Sequence, residues 1–146
     1  MRIAVVNGPN LNLLGTREPA LYGRETLADI EARLGDVARE LDVELEFAQR
    51  NGEGALIDYV QSLRNRVAGA VVNAGAYSHT SLALRDAFAA VEVPFVEVHV
   101  TNVFAREPER RHSMLAPAAV GLLCGFGAYG YELALRGLVA RLAPRD

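Results

Sequence analysis

Five short apolar runs alternate along this chain with segments whose apolar residues recur every three to four positions. Residues 3–6 are a run rich in β-branched side chains that ends in the turn signal Asn7-Gly8-Pro9-Asn10. Thr26 can cap a helix that places Leu27, Ile30, Leu34, Val37 and Leu41 on one face. Residues 43–47 alternate apolar side chains with Glu, the pattern of a strand solvated on one side and placed at a sheet edge. Leu56, Val60, Leu63 and Val67 stripe a second helix, and residues 70–72 form a buried strand ending at Asn73. A third helix follows Ser78 and presents Leu84, Phe88 and Val91, after which Pro94 opens a strand over 95–100. Residues 101–117 are polar, Arg-rich and Pro-containing, and read as a loop. The last strand covers 118–124, the last helix carries Tyr131, Leu135, Leu138 and Leu142, and 144–146 are a short tail.

Strands that alternate with helices need long crossovers, so they form a parallel sheet covered on both faces. Right-handed crossovers then favour a flavodoxin-like, doubly wound α/β fold with five parallel strands. At 146 residues, with 51% hydrophobic and 23% charged, the chain has material for one sizeable core, so 1–146 reads as a single domain.

Several absences narrow the function. The net charge of −3 gives no general electrostatic footprint for nucleic acid. Every basic side chain is Arg, which excludes a lysine Schiff base and a P-loop lysine. The single Cys124 excludes an intramolecular disulfide and a multi-cysteine zinc site, and suits a reducing compartment. The first apolar run is too short for a signal peptide, and no run is long enough to span a membrane. The expectation is a cytoplasmic domain that binds a small molecule, without nucleic-acid or membrane partners.

In such folds ligands bind beyond the carboxyl ends of the strands, near the point where strand order reverses. Here those ends carry Asn7 and Asn10, Asn73, and the set Glu97, His99, Thr101 and Asn102. Taken alone, Asn10 reads first as a turn residue bonding local backbone, and His99 first as a satisfied core residue. Glu97 changes the balance, because strand side chains at i and i+2 share a face. A carboxylate beside an imidazole fixes its tautomer and favours the protonated ring, which makes a competent proton donor.

The segment after the first strand, residues 8–25, carries no strong helical period, and loops of that length tend to be functional lids. It holds Arg17, Glu18 and Tyr22, with Gly15 and Gly23 as hinges. Tyr22 either pins the loop by packing or serves as a general base, and the second role needs guanidinium charge beside the phenol. Arg17 lies five residues away, and Arg106 and Arg110 lie on the second long loop. That loop is either a solvated charged segment or, next to His99, a grip for an anionic substrate. His79 and Thr80 begin the third helix, where backbone N–H groups receive an anion or hydroxyl. Asp86, about two turns further along the same face, is either a surface ion-pair partner of Arg85 or a subunit contact.

Two motifs lead elsewhere. Gly125 to Gly130 matches G-x-G-x-x-G, yet no strand follows the next helix to complete a dinucleotide unit. His79, His99 and His112 are too scattered for a metal motif such as H-E-x-x-H, and nothing here requires a metal or cofactor.

Together these motifs resemble type II 3-dehydroquinate dehydratases over nearly the whole chain. Four blocks carry the resemblance: Asn7 to Gly23, Asn73 to Ser81 with Arg85-Asp86, Glu97 to Asn102, and Arg106 to Ser113. The resemblance implies the flavodoxin-like fold and trans-elimination of water from 3-dehydroquinate through an enolate, without metal or cofactor. By analogy Tyr22 is the base, Arg17 favours its phenolate and stabilises the enolate-like transition state, and Asn10 holds the water at the enolate oxygen. His99, oriented by Glu97, protonates the departing hydroxyl. Asn73, His79, Arg110 and the backbone of Val100 and Thr101 hold the substrate. Asp86 acts at a neighbouring subunit's site, since the family assembles four trimers into a homododecamer. Arg50, Gly52, Phe104 and Glu109 depart from the family's usual residues.

The absence of lysine agrees with this assignment, because the unrelated type I enzymes work through a lysine imine. Three other readings compete: a catalytically silent relative that binds a polyhydroxylated acid, a flavin or nucleotide binder, and service in quinate breakdown instead of aromatic biosynthesis. Asn7-Gly8-Pro9-Asn10 is a poor phosphate loop, since Pro9 removes one N–H donor.

Overall fold

The computed structural model describes residues 1–145; Asp146, the end of the expected tail, lies outside the described residues. Five strands form one sheet: β1 Arg2–Asn7, β2 Glu44–Gln49, β3 Gly69–Asn73, β4 Phe95–His99 and β5 Gly121–Cys124. Their order is β2-β1-β3-β4-β5 with every pair parallel, the doubly wound architecture that the alternation implies. β2 is at an edge, as its alternating Glu residues require.

Period-2 alternation sorts each strand's side chains to two cores. Ile3, Val5, Val71, Val96 and Val98 face one side, which is covered by α2 (Leu27–Leu41) and α6 (Tyr129–Leu142). Ala4, Val6, Ala70, Val72 and Phe95 face the other, beneath α3 (Glu53–Ser62) and α5 (Leu82–Val91). α2 starts as Thr26 suggests: its Oγ1 accepts from the Asp29 N–H at 3.1 Å, and Asp29 Oδ2 accepts from the Thr26 N–H at 3.0 Å. This reciprocal cap satisfies two otherwise orphaned donors.

Three local expectations change. The third helix does not run on from Ser78. A single turn, α4 (Tyr77–Thr80), ends at Ser81, which is extended at φ −94, ψ 93 and whose Oγ caps α5 by accepting from the Leu84 N–H at 2.9 Å. His79 and Asp86 therefore do not share one continuous helical face. The last strand begins at Gly121 instead of 118, because Pro117 sits inside a 3-10 turn, Ala116–Ala118. α3 ends before Val67, whose stripe position is taken over by a following turn.

Strand order reverses at β1, so β1 and β3 side by side mark the switch point. Asn7 is paired in register with Asn73 there. The G-x-G-x-x-G segment is a tight β5–α6 junction in which Gly125 (φ +94) and Gly127 (φ +62) take left-handed backbone that favours glycine.

Candidate active site

The carboxyl ends of β1, β3 and β4 open into one pocket. Asn10, Arg17, Tyr22, Asn73 and His79 line it, together with His99, Val100, Thr101 and Arg110. Nine of the eleven residues singled out from the sequence thus meet there, although they come from five separate stretches of chain. The other two lie elsewhere: Glu97 is behind His99, and Asp86 is exposed on α5.

The β4 side is built from buried polar groups. Glu97 and His99 share a face, as their spacing requires, and His99 Nε2 donates to Glu97 Oε2 at 2.9 Å. That bond assigns a proton to Nε2 and leaves Nδ1 as the nitrogen that can exchange a proton with a ligand. Ser113 Oγ donates to the other carboxylate oxygen, Oε1, at 2.5 Å.

His79 is clamped in turn. Its Nδ1 donates to the His112 carbonyl at 2.7 Å, and His112 Nε2 donates to the His79 carbonyl at 2.7 Å. The three histidines, far apart in sequence, therefore gather at one place, with the His79 ring 5.9 Å from that of His99 and 6.0 Å from that of His112. Burial holds the His79 pKa below its ordinary value, since charging the ring inside protein costs hydration. His79 thus sits in the site as a neutral ring whose Nε2 can accept a hydrogen bond.

The lid side is assembled differently. Residues 8–25 hold a 3-10 turn, Leu11–Leu13, and a one-turn helix, α1 (Pro19–Tyr22). Tyr22 ends α1, and Gly23 at φ +82 turns the chain away. Arg17 lies over the tyrosine ring, its Cζ 4.8 Å from the centroid. Arg106 Nη1 donates directly to the Tyr22 hydroxyl at 3.0 Å and reaches Thr101 Oγ1 at 3.4 Å. Two guanidinium groups thus face one phenol, Arg17 over its ring and Arg106 at its oxygen. Arg106 and Arg110 both line the pocket and both pair with Glu107, but only Arg106 reaches the Tyr22 hydroxyl.

The asparagines are fixed through neighbours that sequence reasoning did not single out. Asn10 has left-handed backbone (φ 70), and its N–H donates to Asn51 Oδ1 at 3.0 Å. Tyr131, fully buried on α6, donates its hydroxyl to Asn7 Oδ1 at 2.6 Å and accepts from Asn73 Nδ2 at 2.9 Å. Asn73 Oδ1 in turn accepts from the Gly75 N–H at 3.1 Å. Both ends of the Asn73 amide are thereby assigned, so its remaining N–H is a fixed donor. Burial pushes the Tyr131 phenol far up, and it stays neutral. A stripe position at the start of the last helix was the only sequence signal for it.

Arg50, one of the departures, stacks its guanidinium 5.3 Å from the Tyr59 ring centroid and donates to the Gln49 carbonyl. It does not line the pocket.

Comparison with known proteins shows the family. Residues 1–139 match the family described as dehydroquinase class II. The chain is 66% identical over 142 residues to a 3-dehydroquinate dehydratase of Gemmatimonas aurantiaca, covering 97% of this chain and 93% of that one. Its fold matches the crystal structure of a type II dehydroquinase from Butyrivibrio crossotus, with a TM-score of 0.92 and 41% identity over 94% of this chain and 97% of that one. A second type II dehydroquinase, from Propionibacterium acnes, matches with a TM-score of 0.90 and 39% identity over 95% and 96% of the two chains. With a pocket at the switch point and a match that runs through nearly its whole length, this chain belongs to the class II dehydroquinase family.

Proposed function

We propose that this pocket carries out the reaction of the family, trans-dehydration of 3-dehydroquinate to 3-dehydroshikimate in the shikimate pathway, with 1–146 acting as one catalytic domain. The observation that carries the proposal is the placement of a phenol under two guanidiniums and a buried imidazole–carboxylate pair on one pocket.

Tyr22, as phenolate, removes a proton from the carbon beside the ketone. Negative charge then moves onto the ketone oxygen, where a water held by Asn10 donates to it. Arg17 and Arg106 stabilise the phenolate before transfer, and Arg17 stays close to the enolate that replaces it. Such charge stabilisation is worth more in a pocket partly screened from solvent than in solution. In the second step the enolate collapses, the carbon–oxygen bond to the hydroxyl breaks, and His99 Nδ1 delivers the proton that makes it water. Glu97 holds Nε2 and balances the charge on the ring while both nitrogens carry protons. Asn73, His79, Arg110 and the backbone of Val100 and Thr101 hold the carboxylate and hydroxyls of the substrate.

Asp86 is exposed on α5 and does not line its own pocket, which fits a role at the site of a neighbouring subunit. We assign the chain to a cytoplasmic homododecamer made of four trimers. The exposed apolar side chains Leu122, Phe126 and Tyr129 around edge strand β5 support burial against other copies. No described helix is long and apolar enough to cross a membrane. A catalytically silent binder is disfavoured, because base, acid and guanidiniums all reach the same pocket.

The test is an ultraviolet assay with 3-dehydroquinate as sole substrate and metal chelated, following the conjugated enone of the product. Turnover that survives borohydride is expected, since no imine forms. A folded protein that leaves 3-dehydroquinate unchanged would overturn the proposal.

A further inference from the structure

We propose that Ser113 is a positioning residue for the acid, acting through Glu97; this rests on the reading of His99 as the proton donor. Glu97 is completely buried on β4. A buried carboxylate needs donors at both oxygens, or the lost hydration goes uncompensated. No arginine of the described residues pairs with it. Its two partners are His99 Nε2 at 2.9 Å and Ser113 Oγ at 2.5 Å.

The serine has no freedom to do anything else. Its oxygen accepts from the Leu115 N–H at 3.1 Å and from the Ala116 N–H at 3.0 Å. A hydroxyl has two acceptor directions and one donor, so with both lone pairs taken its proton must go to Glu97 Oε1. Two backbone dipoles also polarise the O–H and strengthen the bond to the carboxylate. The result is a three-membered chain, Ser113 to Glu97 to His99, in which the carboxylate cannot rotate without breaking a bond at each end. Fixing Glu97 fixes the plane of the imidazole and the direction of Nδ1 in the pocket.

The same stretch of chain makes two further attachments. Arg106, seven residues earlier, holds the Tyr22 hydroxyl, and His112 holds His79. A single loop is thus tied to the base, to a substrate-holding ring and to the carboxylate behind the acid. Ser113 is the tie that reaches the acid.

The experiment compares Ser113→Ala, Ser113→Thr and His99→Ala with the unmodified protein, measuring kcat and KM for 3-dehydroquinate and the thermal midpoint. Losing a hydrogen bond to a charged group corresponds to about a tenfold or larger change in rate. Ser113→Ala is expected to lower kcat by about tenfold or more with KM within about twofold. Ser113→Thr, which keeps the hydroxyl, is expected to restore most of that loss. Should the alanine variant fail to fold, Ser113→Cys, a weaker donor, carries the test with a smaller fall in kcat at unchanged KM. Ser113→Ala turning over at the unmodified kcat would overturn the inference, as would a loss confined to KM, which would mean that the serine affects substrate binding and not the acid. His99→Ala separates the two readings. If it turns over normally the assignment of the acid fails, whereas loss in His99→Ala with none in Ser113→Ala removes only the role of the serine.

Discussion

The two walls of the pocket reach the same kind of arrangement, a titratable group held by charge, along opposite routes. On the β4 wall, His99 and Glu97 are two residues apart on one strand, and both are buried, at 5% and 0% exposure. Strand geometry alone puts them side by side. On the lid wall, Tyr22 sits on a single helical turn with no fully buried residue, and the guanidinium that touches its oxygen is 84 residues away. One wall is preorganised by the sheet and the other is assembled from two loops. The acid wall is therefore buried within the sheet, whereas the base wall is anchored to the core through Leu11 and Leu14, with Tyr22 partly buried against it.

The largest effects test whether each wall holds its reacting group. Tyr22→Phe and His99→Ala are each expected to lower kcat by about 10²–10⁴-fold in the enone assay, the usual contribution of a positioned acid or base. Their stabilities should diverge, because Tyr22→Phe removes a partly buried hydroxyl whereas His99→Ala leaves the fully buried Glu97 Oε2 without its donor. Urea unfolding checks this, and equal midpoints would break the contrast.

Next come the arginines. Arg17→Ala and Arg106→Ala should each lower kcat by about 10²-fold while KM and thermal midpoint move little, since their charge is needed most in the transition state. A change in KM alone would make them substrate grips and not partners of the phenol.

Smaller effects sharpen the view of the sheet side. Tyr131→Phe strips a donor from Asn7 and an acceptor from Asn73, both buried, and is expected to cost about 1–3 kcal/mol in urea unfolding. The smallest effect is a pH dependence. The folded-state pKa of His79 lies below its ordinary 6.5, so the unfolded chain binds the proton more readily. Stability should be insensitive to this group above about pH 6.5 and fall as pH drops from there toward the lower folded value. His79→Gln should flatten that part of the stability–pH curve, and an unchanged curve would mean that the ring is not held neutral.

Much of this was legible in the sequence, because strand ends are easy to find and the chemistry sits on them. Asn73, Glu97 and His99 follow directly from apolar runs and the i, i+2 rule. What stayed hidden depends on side chains meeting across the fold. Ser113 looks like one polar residue in a charged loop until its hydroxyl is seen on Glu97. Tyr131 reads as a core position on a helix stripe, and nothing local marks its bonds to two asparagines from other strands. Arg106 and Arg110 are equivalent by composition, and only the path of the loop puts one on the phenol. The break at Ser81 had a sequence signal, a second serine able to cap, but Ser78 offered the same chemistry three residues earlier.

The division of labour between the walls is tested most directly by following hydrogen exchange at the carbon beside the ketone, with 3-dehydroquinate in heavy water and detection by proton NMR. His99→Ala keeps its base and is expected to wash solvent deuterium into that carbon while forming almost no product, and Tyr22→Phe is expected to do neither. Exchange by Tyr22→Phe with none by His99→Ala would reverse the two roles and contradict the account.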